Sequence, residues 1–267
     1  MSIAGGGRRE APAPGVCRGP PSLPPSCAAA VGARRCGGAG AASGSISAMS
    51  HSAERRLALA TLAETVRGRA SVRRYLPDPV PRADVTAMVE LAVRAANAGN
   101  AQMWRFVAVD DPGTRAALRR AVDDALDVMA AWPELAGRDK EIKALRAYAT
   151  FFADAPLVLA VFALPYASRA DEMLEARGAS REEHDRLRAR PDLQSVGAAV
   201  QLFCTAAQAL GYGACWMTAP VLAAPAIEKL LGAEPAARLA AIVPVGRPAG
   251  AVDPTSRLPL GDVLEFR

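Results

Sequence analysis

Two short segments gather polar side chains closely enough to bind a small molecule. Asn97, Asn100 and Gln102 put three primary amides within six residues, and each offers both a donor and an acceptor. Such a set can read a planar heteroaromatic edge on which donors and acceptors alternate. Arg69, Ser71 and Arg73, with Arg74 next to them, could close on a phosphate or stabilise an electron-rich ring. Simpler readings stand beside these. The amides could form an Asn-rich helix C-cap with Gly99 left-handed, leading into a buried strand. The arginines could be a solvated charged face.

The elements that would position these groups follow from periodicity. Leu57, Leu59, Leu62, Ala63 and Val66 describe a helix from His51 that ends near Gly68, so the arginines follow it on a segment of strand character. Val85, Met88, Val89, Ala92, Val93 and Ala96 recur at helical spacing, and residues 104–109 are an aromatic and β-branched run; the amides therefore sit on a helix-to-strand turn. Helices are expected over 114–129, 139–152 and 225–231. Buried strands are expected over 156–164 and 239–245, the former because it is apolar without alternation. Residues 194–210 form the strongest helix, with Val196, Ala199, Val200, Phe203, Ala206, Ala207 and Leu210 on one face. Residues 165–191 are dense in charge and read as a solvated helical excursion, placed where a lid could sit.

Composition narrows the function. Of the formal charge of +5 on 267 residues, residues 1–50 carry five arginines and one glutamate, a net +4 that leaves +1 for the rest. A near-neutral body offers no basic face, which argues against a nucleic-acid partner. Residues 1–48 are Gly, Ala, Pro, Ser and Arg with few large apolar side chains, and read as a disordered leader before a folded domain at 49–267. Cys17, Cys27 and Cys36 lie in that leader; Cys204 and Cys215, with His51 and His184, match no zinc spacing. No metal site is expected, and a reducing cytoplasm fits. The longest apolar run, 155–164, is too short for a bilayer and contains Pro156, so no membrane partner is expected. Gly211 and Gly213 follow a helix instead of a strand, and Trp216 stands where a dinucleotide fingerprint needs glycine. No Gly-x-Ser-x-Gly elbow is present, and His184 lies in the charged excursion.

Four segments, taken together and in order, resemble the nitroreductase-like FMN-dependent oxidoreductase family. Residues 69–73, Arg-Ala-Ser-Val-Arg, are similar to its Arg-Arg-Ser-Ile-Arg signature, with Ala70 able to contribute only backbone. The amide turn resembles its Pro-Ser-x-x-Asn-x-Gln-Pro-Trp loop, with Ala96 and Asn97 for Pro-Ser and Met103 for the second Pro. Residues 197–201 with 215–218 resemble its second signature, and residues 254–260 its C-terminal phosphate motif, with Thr255 where a basic residue is frequent.

The resemblance implies an α+β fold, a mostly antiparallel sheet sandwiched by helices, built as an interlocked homodimer with a flavin at each of two interface sites. It implies that Arg69 and Ser71 meet the FMN phosphate and ribityl chain. Arg73 would meet the pyrimidine end, where it stabilises developing negative charge, and Asn97, Asn100 and Gln102 the ring edge. Trp216, Met217, Thr218 and Ala219 would lie along the flavin and Arg257 on the phosphate. The flavin carries the chemistry, so no side chain is expected to be catalytic. NAD(P)H would donate a hydride and leave, and a nitroaromatic, quinone or similar small oxidised substrate would be reduced in the same place, a ping-pong sequence. Residues 247–267, proline-rich and able to reach about 70 Å when extended, would wrap the partner. Two alternatives stay open: a same-fold flavoenzyme of different chemistry (flavin fragmentation, reductive dehalogenation or deazaflavin handling), and a non-enzymatic helical binding protein.

Overall fold

The computed structural model describes residues 43–267, with side chains from Glu54 onward. The leader assigned to 1–48 lies outside the described residues as far as residue 42. Helix α1 (Ser43–Gly68) starts earlier than the expected His51. It is followed by an extended segment and α2 (Arg82–Ala92), then the amide turn and strand β1 (Trp104–Val109). Helix α3 (Pro112–Ala130) begins where Asp111 accepts a hydrogen bond from the Thr114 N–H at 2.7 Å and Pro112 occupies the first turn, a strong N-terminal signal. Then come α4 (Asp139–Thr150) and β2 (Leu157–Ala163). The charged excursion folds as α5 (Arg169–Ala176) and α6 (Arg181–Arg188). Helix α7 (Pro191–Ala209), β3 (Gly213–Ala214), α8 (Ala224–Leu230) and β4 (Arg238–Gly246) complete the body.

The sheet has the order β1-β2-β4-β3 and is antiparallel throughout, with Trp104 opposite Ala163, Leu157 opposite Val245 and Gly213 opposite Gly246. Strand β2 is buried along its whole length because both faces are covered. Successive side chains of a strand point to opposite faces, and β2 divides accordingly. Leu157, Leu159, Val161 and Ala163 pack with Val85, Met88 and Ala92 of α2 and Val196, Val200 and Phe203 of α7. Val158, Ala160 and Phe162 pack with Leu118, Val122 and Leu126 of α3, Ala149 of α4 and Ile227 of α8. The architecture is thus an antiparallel sheet between two helical layers, as expected. The third and fifth turns of α7 bury Ala199, Ala206 and Ala207, small residues that let α2 and α7 approach closely.

The resemblance at 215–218 also implies a strand over 216–219, and this is corrected: the paired strand is β3, and beyond it only Met217 bridges Ile242, both N–H···O contacts being 3.0 Å. Residues 219–223 turn into a 3-10 helix, which Pro220 favours by lacking an N–H for the ladder. The apolar face of α1 is uncovered in the single chain: Leu57 is 69% exposed and Leu62 54%. With Leu91 of α2 and Leu202 of α7 they line an open groove of about 800 Å³. No described helix is long and apolar enough to cross a membrane.

Candidate functional site

The arginine segment is fixed by the edge of the sheet. Ser71 forms a parallel bridge with Ala214 of β3, and the Val72 N–H donates to the Ala214 carbonyl at 3.1 Å. Farther along, the Leu76 N–H donates to the Arg247 carbonyl at 2.8 Å and the Ala249 N–H to that of Arg74 at 3.0 Å. The Tyr75 hydroxyl, 2.5 Å from the Val72 carbonyl and 3.3 Å from that of Pro244, ties the end of the segment to β4. Alternation then sorts the side chains: Ala70 and Val72 are buried, while Arg69 and Ser71 are half-buried and Arg73 is exposed. Arg69, Ser71 and Arg73 therefore share one face. Among the described residues neither Arg69 nor Arg73 is ion-paired to a carboxylate; the Arg73 guanidinium contacts only the Ser71 carbonyl, at 3.4 Å.

Gly213 explains how closely this segment lies. A Cβ on Gly213 would stand 2.4 Å from one methyl carbon of Val72 and 2.6 Å from its Cβ, so any larger residue would displace the residue between Ser71 and Arg73. Two cysteines lie beneath. Burial pushes the Cys204 thiol up to about 12, against the nearby Arg69 charge, and raises Cys215 too, with Arg73 and Ser71 opposing. Both are protonated at neutral pH, so the ionised groups here are guanidiniums and the strip is electropositive.

The amide turn is built from strained backbone. Residues 98–100 form a 3-10 turn in which Gly99 has φ 60°, followed by Asn100 at 51° and Gln102 at 50°. Gly99 is left-handed, as the capping alternative held, but α2 ends earlier, at Ala92. The Asn97 side chain is consumed in bracing the turn: Oδ1 accepts from the Gln102 N–H at 2.8 Å and Nδ2 donates to the Ala95 carbonyl at 3.2 Å. Asn100 and Gln102 are exposed, and among the described residues their side-chain amides form no hydrogen bond. Their amides are the turn's free ones, and Asn97 is its frame.

Helix α7 sets the distance between the two groups. Arg69 lies beside Cys204, whereas the Ala98 N–H donates to Ser195 Oγ at 3.2 Å. Residues 195 and 204 are nine positions apart on this helix, about 14 Å at about 1.5 Å per residue. Trp216 stands between these levels, 43% exposed, its ring against Gly197, where a Cβ would be 3.1 Å away. Trp216 and Thr218 face outward and Ala219 is half-buried. Met217 is 1% exposed and its backbone is paired with Ile242, so neither its side chain nor its backbone is open to a ligand. Arg257 is not brought to this face within one chain; its guanidinium contacts Thr255 and Ser256 of its own exposed tail.

These residues fit a phosphorylated, planar heteroaromatic group. Unpaired guanidiniums beside a hydroxyl suit the phosphate, and free amides with an exposed indole suit the ring. Among the described residues no cluster of His, Cys, Asp and Glu could hold a metal ion.

A family model described as Nitroreductase family matches residues 66–247. The chain belongs to the nitroreductase family. That match spans α1's last turn to the end of β4, so it includes the arginine segment, the amide turn and the α7 to β3 block. The 5,6-dimethylbenzimidazole synthase of Rhodobacter capsulatus is 36% identical over 105 residues, 38% of this chain and 48% of that protein. The chain spans about half or less of the curated relatives it matches over such short segments. A BluB-like flavoprotein from Clostridium difficile 630 is similar in structure, with a TM-score of 0.70 and 28% identity over 77% of this chain and 98% of that one. A nitroreductase with bound FMN from Bacteroides fragilis NCTC 9343 shares the fold at a TM-score of 0.57 and 20% identity, over 77% of this chain and 98% of that one.

The sequence reading passed over two helix starts in the excursion. Ser168 with Asp171, and Ser180 with Glu183, form capping boxes, and the Ser-x-x-Asp/Glu spacing that signals them is plain in the sequence. It also passed over Ser195, which bonds the amide turn, and Tyr166, which borders it, both from elements remote in sequence.

Proposed function

We propose that this nitroreductase-family oxidoreductase binds FMN and passes a hydride from NAD(P)H to a nitroaromatic, quinone or similar small oxidised substrate. The observation that carries the reading is the unpaired Arg69–Ser71–Arg73 face held on β3. Bound FMN would supply the hydride acceptance and donation. Arg69 and Ser71 hold the phosphate and ribityl chain by charge-assisted hydrogen bonds. Arg73 supplies positive charge at the pyrimidine end, where hydride uptake builds negative charge. Asn100 and Gln102 orient the ring edge, Trp216, Thr218 and Ala219 line the site, and Ala70 and Asn97 act through backbone and loop geometry. Met217 serves from the core by fixing Trp216 and Thr218 outward.

The working form in this reading is a homodimer, supported by the uncovered apolar face of α1 and by the exposed tail with Leu258, Leu260, Leu264 and Phe266. From Ala249, anchored beside Arg74, Arg257 is eight residues away, a reach of about 26 Å, so the tail can bring it to a phosphate. Two buried thiols without a disulfide suit the cytoplasm.

Flavin fragmentation is the second reading, favoured by the likeness to the BluB-like flavoprotein and to the 5,6-dimethylbenzimidazole synthase. One experiment separates the two. The FMN-loaded protein is reduced anaerobically with NADH or NADPH, then exposed either to a nitroaromatic or quinone or to oxygen, and the flavin is analysed by chromatography. The reductase reading predicts rapid bleaching, reoxidation by the organic oxidant and intact FMN. Loss of FMN with appearance of 5,6-dimethylbenzimidazole would replace it by the second.

A further inference from the structure

The charged hairpin of α5 and α6 is locked at its base. Asp171, 6% exposed, accepts from the Ser168 N–H at 2.7 Å, the Ser168 hydroxyl at 2.6 Å, and Arg188 Nε at 2.8 Å and Nη2 at 3.3 Å. Arg188 Nη2 also reaches Ser168 Oγ at 2.9 Å, so the start of α5 and the end of α6 are joined through one ion pair. His184 Nε2 lies 3.6 Å from the same carboxylate.

Both ends of this lock border the amide turn. On the incoming side, the Tyr166 hydroxyl stands 3.4 Å from the position a Cβ would take on Gly99, and Tyr166 also borders the Arg188 guanidinium. On the outgoing side, Ala189 and Arg190 have φ 53° and 50°, and Arg190 is paired with Asp192 at 2.9 Å. Ser195, 4% exposed, donates to the Pro191 carbonyl at 2.6 Å and accepts from the Ala98 N–H. Among the described residues the four non-glycine positive-φ positions are Asn100, Gln102, Ala189 and Arg190. Two are in the turn and two in the joint between α6 and α7, and Ser195 links the two segments. Backbone held in such regions persists where its surroundings over-determine it.

We infer that the Asp171–Arg188 lock at the base of the hairpin is the positioning device of the amide turn, acting through Tyr166 and Ser195 on the backbone that aims Asn100 and Gln102. This goes beyond a hairpin that covers a pocket: the hairpin sets the geometry of the residues that read the ring. Its consequence for catalysis rests on the flavin reading, whereas the mechanical link does not.

The link is tested first by hydrogen exchange on the full-length protein. Asp171→Asn and, as a milder variant, Ser195→Ala should speed exchange of amides 98–102 by about fivefold or more, the effect of losing one net hydrogen bond. Glu172→Gln, on the same helix but outside the lock, should leave them unchanged. Acceleration confined to residues 166–190 in Asp171→Asn, with 98–102 unmoved in both variants, would overturn the inference. On the FMN-loaded protein, Ser195→Ala should shift the flavin absorbance and slow its reduction with less than about threefold change in FMN affinity, and Ser195→Thr should restore both. The effects of Ser195→Ala and Asn100→Ala should be non-additive, since they act on one unit. Full additivity would overturn the link, whereas a protein that fails to bind FMN at all but shows the exchange pattern would sink the flavin reading and leave the link standing.

Discussion

Arg69 and Arg257 are predicted to act on the same phosphate from different parts of the chain, one fixed on the sheet edge and one on an exposed tail. A hydrogen bond to a charged group contributes roughly 1.5–3 kcal/mol, so Arg69→Ala and Arg257→Ala should each weaken FMN binding by about ten- to a hundredfold. Isothermal titration with FMN checks this; an unchanged dissociation constant removes that residue from the site. The residue types at this site were legible, because arginines next to a serine and amides spaced over six residues announce polar recognition. Their division of labour was not. That Asn97 braces the turn while Asn100 and Gln102 remain free depends on a left-handed backbone that no side-chain pattern encodes. Met217 read as one of four consecutive site residues, yet strand alternation sends it into the core and leaves Trp216 and Thr218 outside.

At the level of elements, the contact of β3 with the arginine segment leaves no room for a side chain at residue 213. Gly213→Ala would drive a methyl group into Val72, and overpacking of this kind costs about 1–3 kcal/mol. A lowered denaturant midpoint together with weaker FMN binding is expected; wild-type values for both would mean that the segment is not held as described. The α5–α6 hairpin gives a pH prediction. Arg188 and Ser168 hold the Asp171 carboxyl well below the usual carboxylate range. A carboxylate depressed on folding stabilises the native state above its unfolded pKa, about 3.9, and that contribution disappears as pH falls through the native value. Wild type should therefore exceed Asp171→Asn in thermal stability at pH 7, with the gap shrinking below pH about 4. A gap that widens in acid would contradict the assignment. The stretch was legible as helical from its charge density, but its division into two helices was not read, although the two capping spacings that mark it are local signals. Their connection to the amide turn was not legible either, because it runs through contacts between residues about 70 to 100 apart.

For the whole molecule, periodicity was enough to read the layered architecture: unbroken apolar runs became β2 and β4, and the α7 stripe became the helix that both polar segments touch. What one chain leaves uncovered, the face of α1 and the tail after Ala249, has a physical reason too, since these surfaces have no partner to bury against within a single copy. They should be buried in a dimer, and Leu57→Glu with Leu62→Glu should shift the mass by light scattering from dimer toward monomer; a wild-type mass for the double variant would place the interface elsewhere. If the arginine face and the amide turn grip one phosphorylated flavin, paired titration of the flavin-free protein with FMN and with riboflavin will separate the two ligands. One FMN should bind per chain, with riboflavin weaker by about a hundredfold or more because it lacks the phosphate; no binding of FMN, or equal affinity for the two, would rule out such a grip.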